Sequence, residues 1–366
     1  MMSQASPIPQ GLSSSQTILM ALLIGFSLGS VGLLALALMV LLSHQRFGVD
    51  RSAKHGISVD ETSRLGGLAI LLFLMIIWSF SLLRRENFID IDLVVPLIIT
   101  PFYIWPVLLI GMIGLFEDLG LSIKPAVRLS VMIAIGVIFF LLKPELLPNR
   151  LLEVTKIEGF WAVLGLSAAS GVFFAGFVNA ANISDGANGL LSGVCLVFFW
   201  VAWQLQGDGW SFYLLIILLC FWLINVLTGR ILLGDLGAYA LGALIVFVAF
   251  DLFDERNVSP FFLASLLCYP CLEILRAMIV RWLRGQSLLS ADNAHLHNLL
   301  NAKLSASLRS NTLPNSLTGM LIMLITTIPG IMTFSLGLQG DNVINLTAFG
   351  LQAIIFLKLW VWLEKA

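Results

Sequence analysis

Long apolar runs separated by short polar bursts set the plan of this chain. With about 20 apolar residues as the length that crosses a bilayer, eleven runs qualify, at roughly 17–42, 66–83, 93–116, 126–142, 161–182, 188–206, 211–227, 237–253, 260–283, 315–337 and 346–363. The pattern predicts an all-α polytopic integral membrane protein with about eleven transmembrane helices and one membrane domain over 1–366. The first run is too long for a signal-peptide core and reads as a retained helix. The third carries Pro96, Pro101 and Pro106, which predicts a kinked or partly interfacial segment. The fifth and sixth are almost contiguous and meet at the turn Asp185–Gly189.

That junction holds the densest polar stretch, Asn179-Ala-Ala-Asn-Ile-Ser-Asp-Gly-Ala-Asn-Gly189. Asn179, Asn182 and Asp185 are spaced three apart, so a helix would place them within about a third of its circumference. The helix is expected to stop at Gly186 or soon after. Lipid penalises amides and carboxylates, so they should face a protected cavity. The plainer alternative is an amide-capped helix end.

Charge orients the chain. One set of loops holds Arg46, Arg51, Lys54, Arg64, Lys124, Arg128, Arg230, Arg284, Lys303, Arg309 and Lys365, and the other holds Arg84, Arg85, Lys143, Arg150, Lys156 and Arg256. Eleven basic residues against six make the first set cytoplasmic, with the N-terminus outside and the C-terminus inside. Five polar stretches then share the cytoplasmic face: Asp50 through Arg64-Leu-Gly-Gly67, Glu117-Asp118, the Asn179–Gly189 stretch, Asn225 through Gly234-Asp235-Leu-Gly237, and the loop around Asp292-Asn-Ala-His295-Leu-His297-Asn298. The composition, 59% hydrophobic and 11% charged with a net charge of −1, excludes a polyanion-binding surface, so nucleic acid is not a partner. The cysteines Cys195, Cys220, Cys268 and Cys271 all lie in apolar runs, which argues against a disulfide framework.

Adjacent carboxylates at a membrane boundary repel unless a cation or proton intervenes. Glu117, Asp118 and Asp235 suit a hard divalent ion, and Mg²⁺ in turn suits a diphosphate. In an extended loop His295 and His297 project alike and can hydrogen-bond phosphate oxygens. Each cluster has a plainer alternative: a solvated helix end for the acid pair, a loop pair for the histidines, a helix N-cap for Asp235. Convergence on one face favours a site. Glu273 and Arg276, three apart inside an apolar run, are placed to pair on one helix.

The order and spacing of Arg-Leu-Gly-Gly at 64–67, Asn-x-x-Asn-x-x-Asp-Gly-x-Asn-Gly-Leu at 179–190, Gly-Asp-x-Gly at 234–237 and His-Leu-His at 295–297 resemble the polyprenyl-phosphate N-acetylhexosamine-1-phosphate transferase superfamily. The resemblance covers about 50–300 and leaves two C-terminal spans, 315–366, beyond it. It implies transfer of a sugar 1-phosphate from a UDP-sugar to undecaprenyl phosphate, with release of UMP, at the start of a cell-surface glycan such as cell wall or O-antigen. It implies Mg²⁺, with Mn²⁺ as the alternative ion, at Asp235 with Asn182, and an acidic pair, Glu117 and Asp118, near the acceptor phosphate. Asp185, Asn188 and Asn225 match positions around the uridine or diphosphate. Arg64 and Asn179 join this substrate-binding set, and His295 and His297 match a loop over the donor phosphates. A multi-pass protein of the bacterial inner membrane with a cytoplasmic active site is implied, and a homodimer is allowed. Three positions depart from the family pattern: Glu117 for Asp, Asn188 for Asp and Asn298 for His. Glu117 is accordingly expected to be the more replaceable member of the pair. The competing readings are a transporter, suggested by Glu273 and Arg276, and an inactive relative acting as a scaffold.

Overall fold

The computed structural model describes residues 62–85, 101–207, 209–288, 290, 293–308 and 312–365, with short pieces at 34, 37–38, 41–42 and 49–50. The first expected span falls mostly outside these residues, as do 86–100, Arg51, His44, His55 and Asp292. Apart from a two-residue antiparallel pair, β1 (Val49–Asp50) with β2 (Thr62–Ser63), the described chain is helical, and it is an all-α polytopic membrane protein.

One helix, α8 (Gly234–Glu255), forms the axis of the fold. Of its apolar window 78% is buried, against 17% for α3 (Pro125–Leu142), so α8 is surrounded by protein while α3 faces lipid on most sides. Around α8 pack α1 (Gly66–Arg85), α2 (Pro101–Asp118) and α5 (Phe160–Ser184). Phe247 of α8 meets Phe140 of α3 at 5.7 Å and Phe174 of α5 at 5.5 Å between ring centroids, and these rings fill the membrane-depth core. Near its start α8 is approached more closely than side chains allow. A Cβ added to Gly67 would fall on the backbone of Gly237, and one added to Gly114 would fall on the backbone of Asp235. Close helix contact through small residues is a common solution within membranes, where no hydrophobic force draws helices together.

The short helix α4 (Arg150–Thr155) sits at the far end of α8, where the Asp254 carboxylate accepts the Asn149 and Arg150 amides at 2.7 and 3.2 Å. Helices α6 (Leu190–Gln206) and α7 (Gly209–Thr228) pack on each other and complete the first half of the bundle.

The expected single span at 260–283 is corrected by the structure. Pro260–Leu266 (α9) and Cys268–Leu283 (α10) meet at 89°. Pro270 explains the break, because without an N–H it cannot donate to the Leu266 carbonyl as a continuous helix requires. A short helix, α11 (Leu296–Ser307), follows, and then α12 (Leu313–Ser335) and α13 (Asn342–Lys365). These last two pack on α9 and α11. Among the described residues six helices are long and apolar enough to cross a membrane, or seven if the bent pair is one span, with shorter apolar helices at Gly66–Ile77 and Leu190–Gln206. The expected run at 93–116 begins, in its described part, at Pro101 and continues through Pro106.

Candidate active site

The site forms where α8 begins. Gly234 has φ +74, a conformation that favours glycine, and it turns the chain into the helix. The segment before it is strapped to β2 and the start of α1: Leu232 N–H donates to the Ser63 carbonyl at 2.7 Å, and Gly66 and Gly67 amides donate to the Leu232 and Leu233 carbonyls at 3.0 and 2.8 Å. This strap brings Arg64 to the helix start. Asp118, the last residue of α2, receives the Asp235 and Leu236 amides at 3.0 and 2.9 Å, one on each carboxylate oxygen. A carboxylate from another helix thus satisfies the open N–H groups at the positive end of α8. Arg64 Nη1 lies 3.9 Å from Asp118 Oδ1.

Glu117 points to a different partner. Arg128 Nη1 donates to both of its oxygens at 3.0 Å, and the Tyr239 hydroxyl donates to Oε2 at 2.7 Å. Arg128 Nη2 donates in turn to Asn179 Oδ1 at 3.4 Å, and Asn179 Nδ2 donates to the Ala175 carbonyl at 2.7 Å. One methylene longer than Asp, Glu117 spans to this Arg–Tyr pair rather than doubling Asp118.

Helix α5 ends at Ser184, with Asp185 as its cap, slightly before the expected stop. Gly186 is not in the left-handed conformation; its role is space, because a Cβ there would collide with His297 Nε2. Burial pushes the Asp185 carboxyl well above its ordinary range, the charges of Asp235 and Asp118 push the same way, and Arg64 opposes them. Arg64, Asp118, Asp185 and Asp235 therefore act on one another electrostatically. Asn182 lies in the last turn of α5, and its carbonyl accepts the Asp185 amide at 3.2 Å.

Asn188 and Asn225 are buried in a knot of protein hydrogen bonds. Asn225 Oδ1 accepts the Gly189 amide at 2.6 Å, and its Nδ2 donates to the Ile231 carbonyl at 2.7 Å and to Asn188 Oδ1 at 3.5 Å. Asn188 donates its amide to Asn315 Oδ1 at 2.9 Å and Nδ2 to Ser316 Oγ at 3.3 Å. The knot joins the Asp185–Gly189 turn to the segment that enters α8 and to α12. An amide, which both donates and accepts, suits position 188 here better than an acceptor-only carboxylate.

His295 caps the start of α11 and His297 lies in its first turn, with rings stacked at 5.4 Å and an interplanar angle of 9°. They project alike although the expected extended loop is not what holds them: only His295, at the cap, is extended, and His297 is already helical. Burial, seconded by His295, lowers His297 to about 3, so its imidazole is neutral at ordinary pH. Its Nδ1 is 2.6 Å from the Tyr269 hydroxyl, and its Nε2 lies against Gly186. His295 Nδ1 reaches Glu273 Oε1 at 3.0 Å, and Glu273 pairs with Arg276 at 2.6 Å. The intramembrane acid thus supports the histidine loop, a role the one-helix pairing does not reveal.

Among the described residues, hydrogen bonds and charge contacts link Arg64, Asp118, Asp185 and Asp235 around the start of α8, with Glu117 and Asn179 joined through Arg128, Asn188 with Asn225, and His297 against Gly186. Arg128, Tyr239 and Tyr269 were missed by sequence reasoning. The available signals were an arginine within an apolar run near the acid pair, and a tyrosine within the apolar run that holds Glu273 and Arg276.

The glycosyl transferase family 4 model matches residues 101–252. The undecaprenyl-phosphate alpha-N-acetylglucosaminyl 1-phosphate transferase of Escherichia coli (strain K12) is 26% identical over 205 residues, 51% of this chain and 54% of that protein. The phospho-N-acetylmuramoyl-pentapeptide-transferase of Streptococcus agalactiae serotype Ia is 28% identical over 222 residues, 55% of this chain and 63% of that protein. The enzyme of that name from Staphylococcus carnosus is 24% identical over 254 residues, 64% and 76% respectively. The chain spans about half the length of the first curated relatives it matches. It is a polytopic membrane protein with a glycosyl transferase family 4 region. The match and these relatives support a likeness to the polyprenyl-phosphate N-acetylhexosamine-1-phosphate transferases, the group that the four motifs resemble.

Proposed function

We propose that this chain transfers a sugar 1-phosphate, an N-acetylhexosamine 1-phosphate, from a UDP-sugar to undecaprenyl phosphate. An oxygen of the acceptor phosphate attacks the sugar-linked phosphorus of the donor, the bond to UMP breaks, and a polyprenyl-diphosphate sugar remains in the membrane. The observation that carries this reading is the convergence of Arg64, Asp118, Asp185, Asp235 and His297 at the start of the central helix. The matched family and the names of the relatives support the coarser activity, polyprenyl-phosphate sugar-1-phosphate transfer.

Both reactants carry phosphate, so charge neutralisation and alignment are the main tasks. Among the described residues no three His, Cys, Asp or Glu groups form a ready cage for a metal. Mg²⁺ commonly binds through one or two carboxylates, waters and substrate phosphates instead, and the oxygen donors Asp235 and Asn182 fit that mode. When bound, Mg²⁺ would neutralise phosphate charge and polarise the phosphoryl group. Asp118 fixes the backbone of Asp235 through its two accepted amides, so it sets where that carboxylate stands. Arg64 supplies positive charge beside the acids. His297, neutral and held by Tyr269, closes the site from the α11 side. The site faces the cytoplasm in an inner membrane whose opposite face receives the N-terminus, and the product starts a cell-surface glycan.

The test is release of UMP from UDP-N-acetylhexosamine by purified protein with a short polyprenyl phosphate. Asp235→Asn is expected to abolish Mg²⁺-dependent turnover in a protein that still folds. Near-unaltered activity in this variant would sink the metal assignment. No UMP release by the unaltered chain would favour the transporter or scaffold readings.

A further inference from the structure

Glu273 is fully buried within an apolar helix, where an unpartnered carboxylate would be costly. Both of its oxygens are partnered. Oε1 accepts Arg276 Nε at 2.7 Å and His295 Nδ1 at 3.0 Å, and Oε2 accepts the Leu296 amide at 3.1 Å. The Leu296 amide is one of the open N–H groups at the start of α11, so Glu273 caps that helix and holds His295 at once. Arg276 Nη2 lies 3.2 Å from the same His295 Nδ1, so the acid and the guanidinium together fix where this ring nitrogen stands.

The chain of contacts continues into the last helix. The Arg276 guanidinium lies over the Trp360 ring, 5.2 Å from its centroid. Trp360 Nε1 donates to the Ala294 carbonyl at 2.8 Å. The backbone is therefore held on both sides of His295, at Ala294 by Trp360 and at Leu296 by Glu273. Trp360 stands in α13, more than a hundred residues beyond the segment that the family model matches.

We propose that Trp360 and Arg276 are positioning residues, which hold His295 through Glu273 and the Ala294 carbonyl so that α13 sets where the His295 imidazole meets the donor diphosphate. The identity of that ligand rests on the transferase reading above; the holding of the loop does not. A tryptophan that merely fills the core would contribute area alone. Trp360 has two directed contacts, and the N–H contact can be removed without the aromatic one.

The experiment uses the full chain in lipid nanodiscs with W360F and W360A. W360F keeps an aromatic face under Arg276 and deletes the N–H to Ala294; W360A deletes both. Hydrogen exchange in peptides spanning 293–300 should quicken by about threefold in W360F and about tenfold in W360A, while peptides from α8 stay unchanged. The KM for UDP-N-acetylhexosamine should rise by similar factors, with kcat within about twofold. A core-packing role would instead lower kcat at constant KM through loss of active protein, and that result would overturn the proposal. So would unchanged exchange and KM in W360A, or exchange rising equally along α8. Faster exchange confined to the loop, in a chain that transfers no sugar phosphate, would refute the transferase reading and the donor role, and would leave the holding of the loop established.

Discussion

At the scale of single residues, the acid pair divides its labour. Asp118 spends both oxygens on the start of α8, while Glu117 is tied to Arg128 and Tyr239. Asp118→Asn replaces one acceptor by a donor facing an amide, so it should cost at least tenfold in kcat, roughly 1.4 kcal/mol of barrier. From sequence, Glu117→Asp should have been harmless or beneficial, since it restores the commoner pair. The structure adds a stability cost to that variant. A shorter side chain withdraws from Arg128 Nη1 and the Tyr239 hydroxyl, at a cost of about 1 kcal/mol in stability, modest because Arg128 is partly exposed. Thermal unfolding and radiolabelled sugar-phosphate transfer at saturating UDP-sugar check both variants. A more active and equally stable Glu117→Asp would show that the Arg128 contact does not matter. The pairing was not legible because Glu117 and Arg128 lie on different helices, and spacing along the chain does not disclose which side chains meet across a turn.

At the scale of elements, apolar runs foretold most helices, because a membrane helix is marked by composition over its whole length. The break between α9 and α10 was not foretold, since the run is apolar on both sides of it and only Pro270 signals a change of direction. The motif glycines were legible as positions of special need but not the need itself. Gly186 looked like a helix stop and proves to be room for His297. Gly186→Ala should therefore push the imidazole away from Tyr269 and cost about 1–3 kcal/mol, as overpacking of a buried contact does. Gly176, in the preceding helix α5, offers the control, because a Cβ there meets nothing within 4 Å. Gly176→Ala should be neutral or stabilising by up to about 1 kcal/mol. Melting temperatures of the two variants, measured side by side in one detergent, decide the matter; equal shifts would deny Gly186 its special role.

At the scale of the whole molecule, α8 carries the site at its start and the Asp254 contact with α4 near its end, about 29 Å apart at 1.5 Å per residue. That distance matches a hydrocarbon core, so cysteines at Ser290 and Asn149 should label from opposite sides, the former from the cytoplasm. Labelling of the Ser290 position from outside in intact cells would invert the orientation and move the site with it. Where polar clusters would gather was legible from loop charge and motif order, but the part played by the last helices was not, since Asn188 and Asn315 meet across more than a hundred residues. The glycine contacts around the start of α8 carry a consequence for how such a protein can diverge. Against Gly67 and Gly114 the wall of the site is bare backbone, and no substitution can remodel it without prising helices apart. Heritable variation in what the site accepts is thereby channelled to flanks built of side chains, among them the described residues that lead into α11. Relatives with different donors should differ there first, while their helix crossings stay alike.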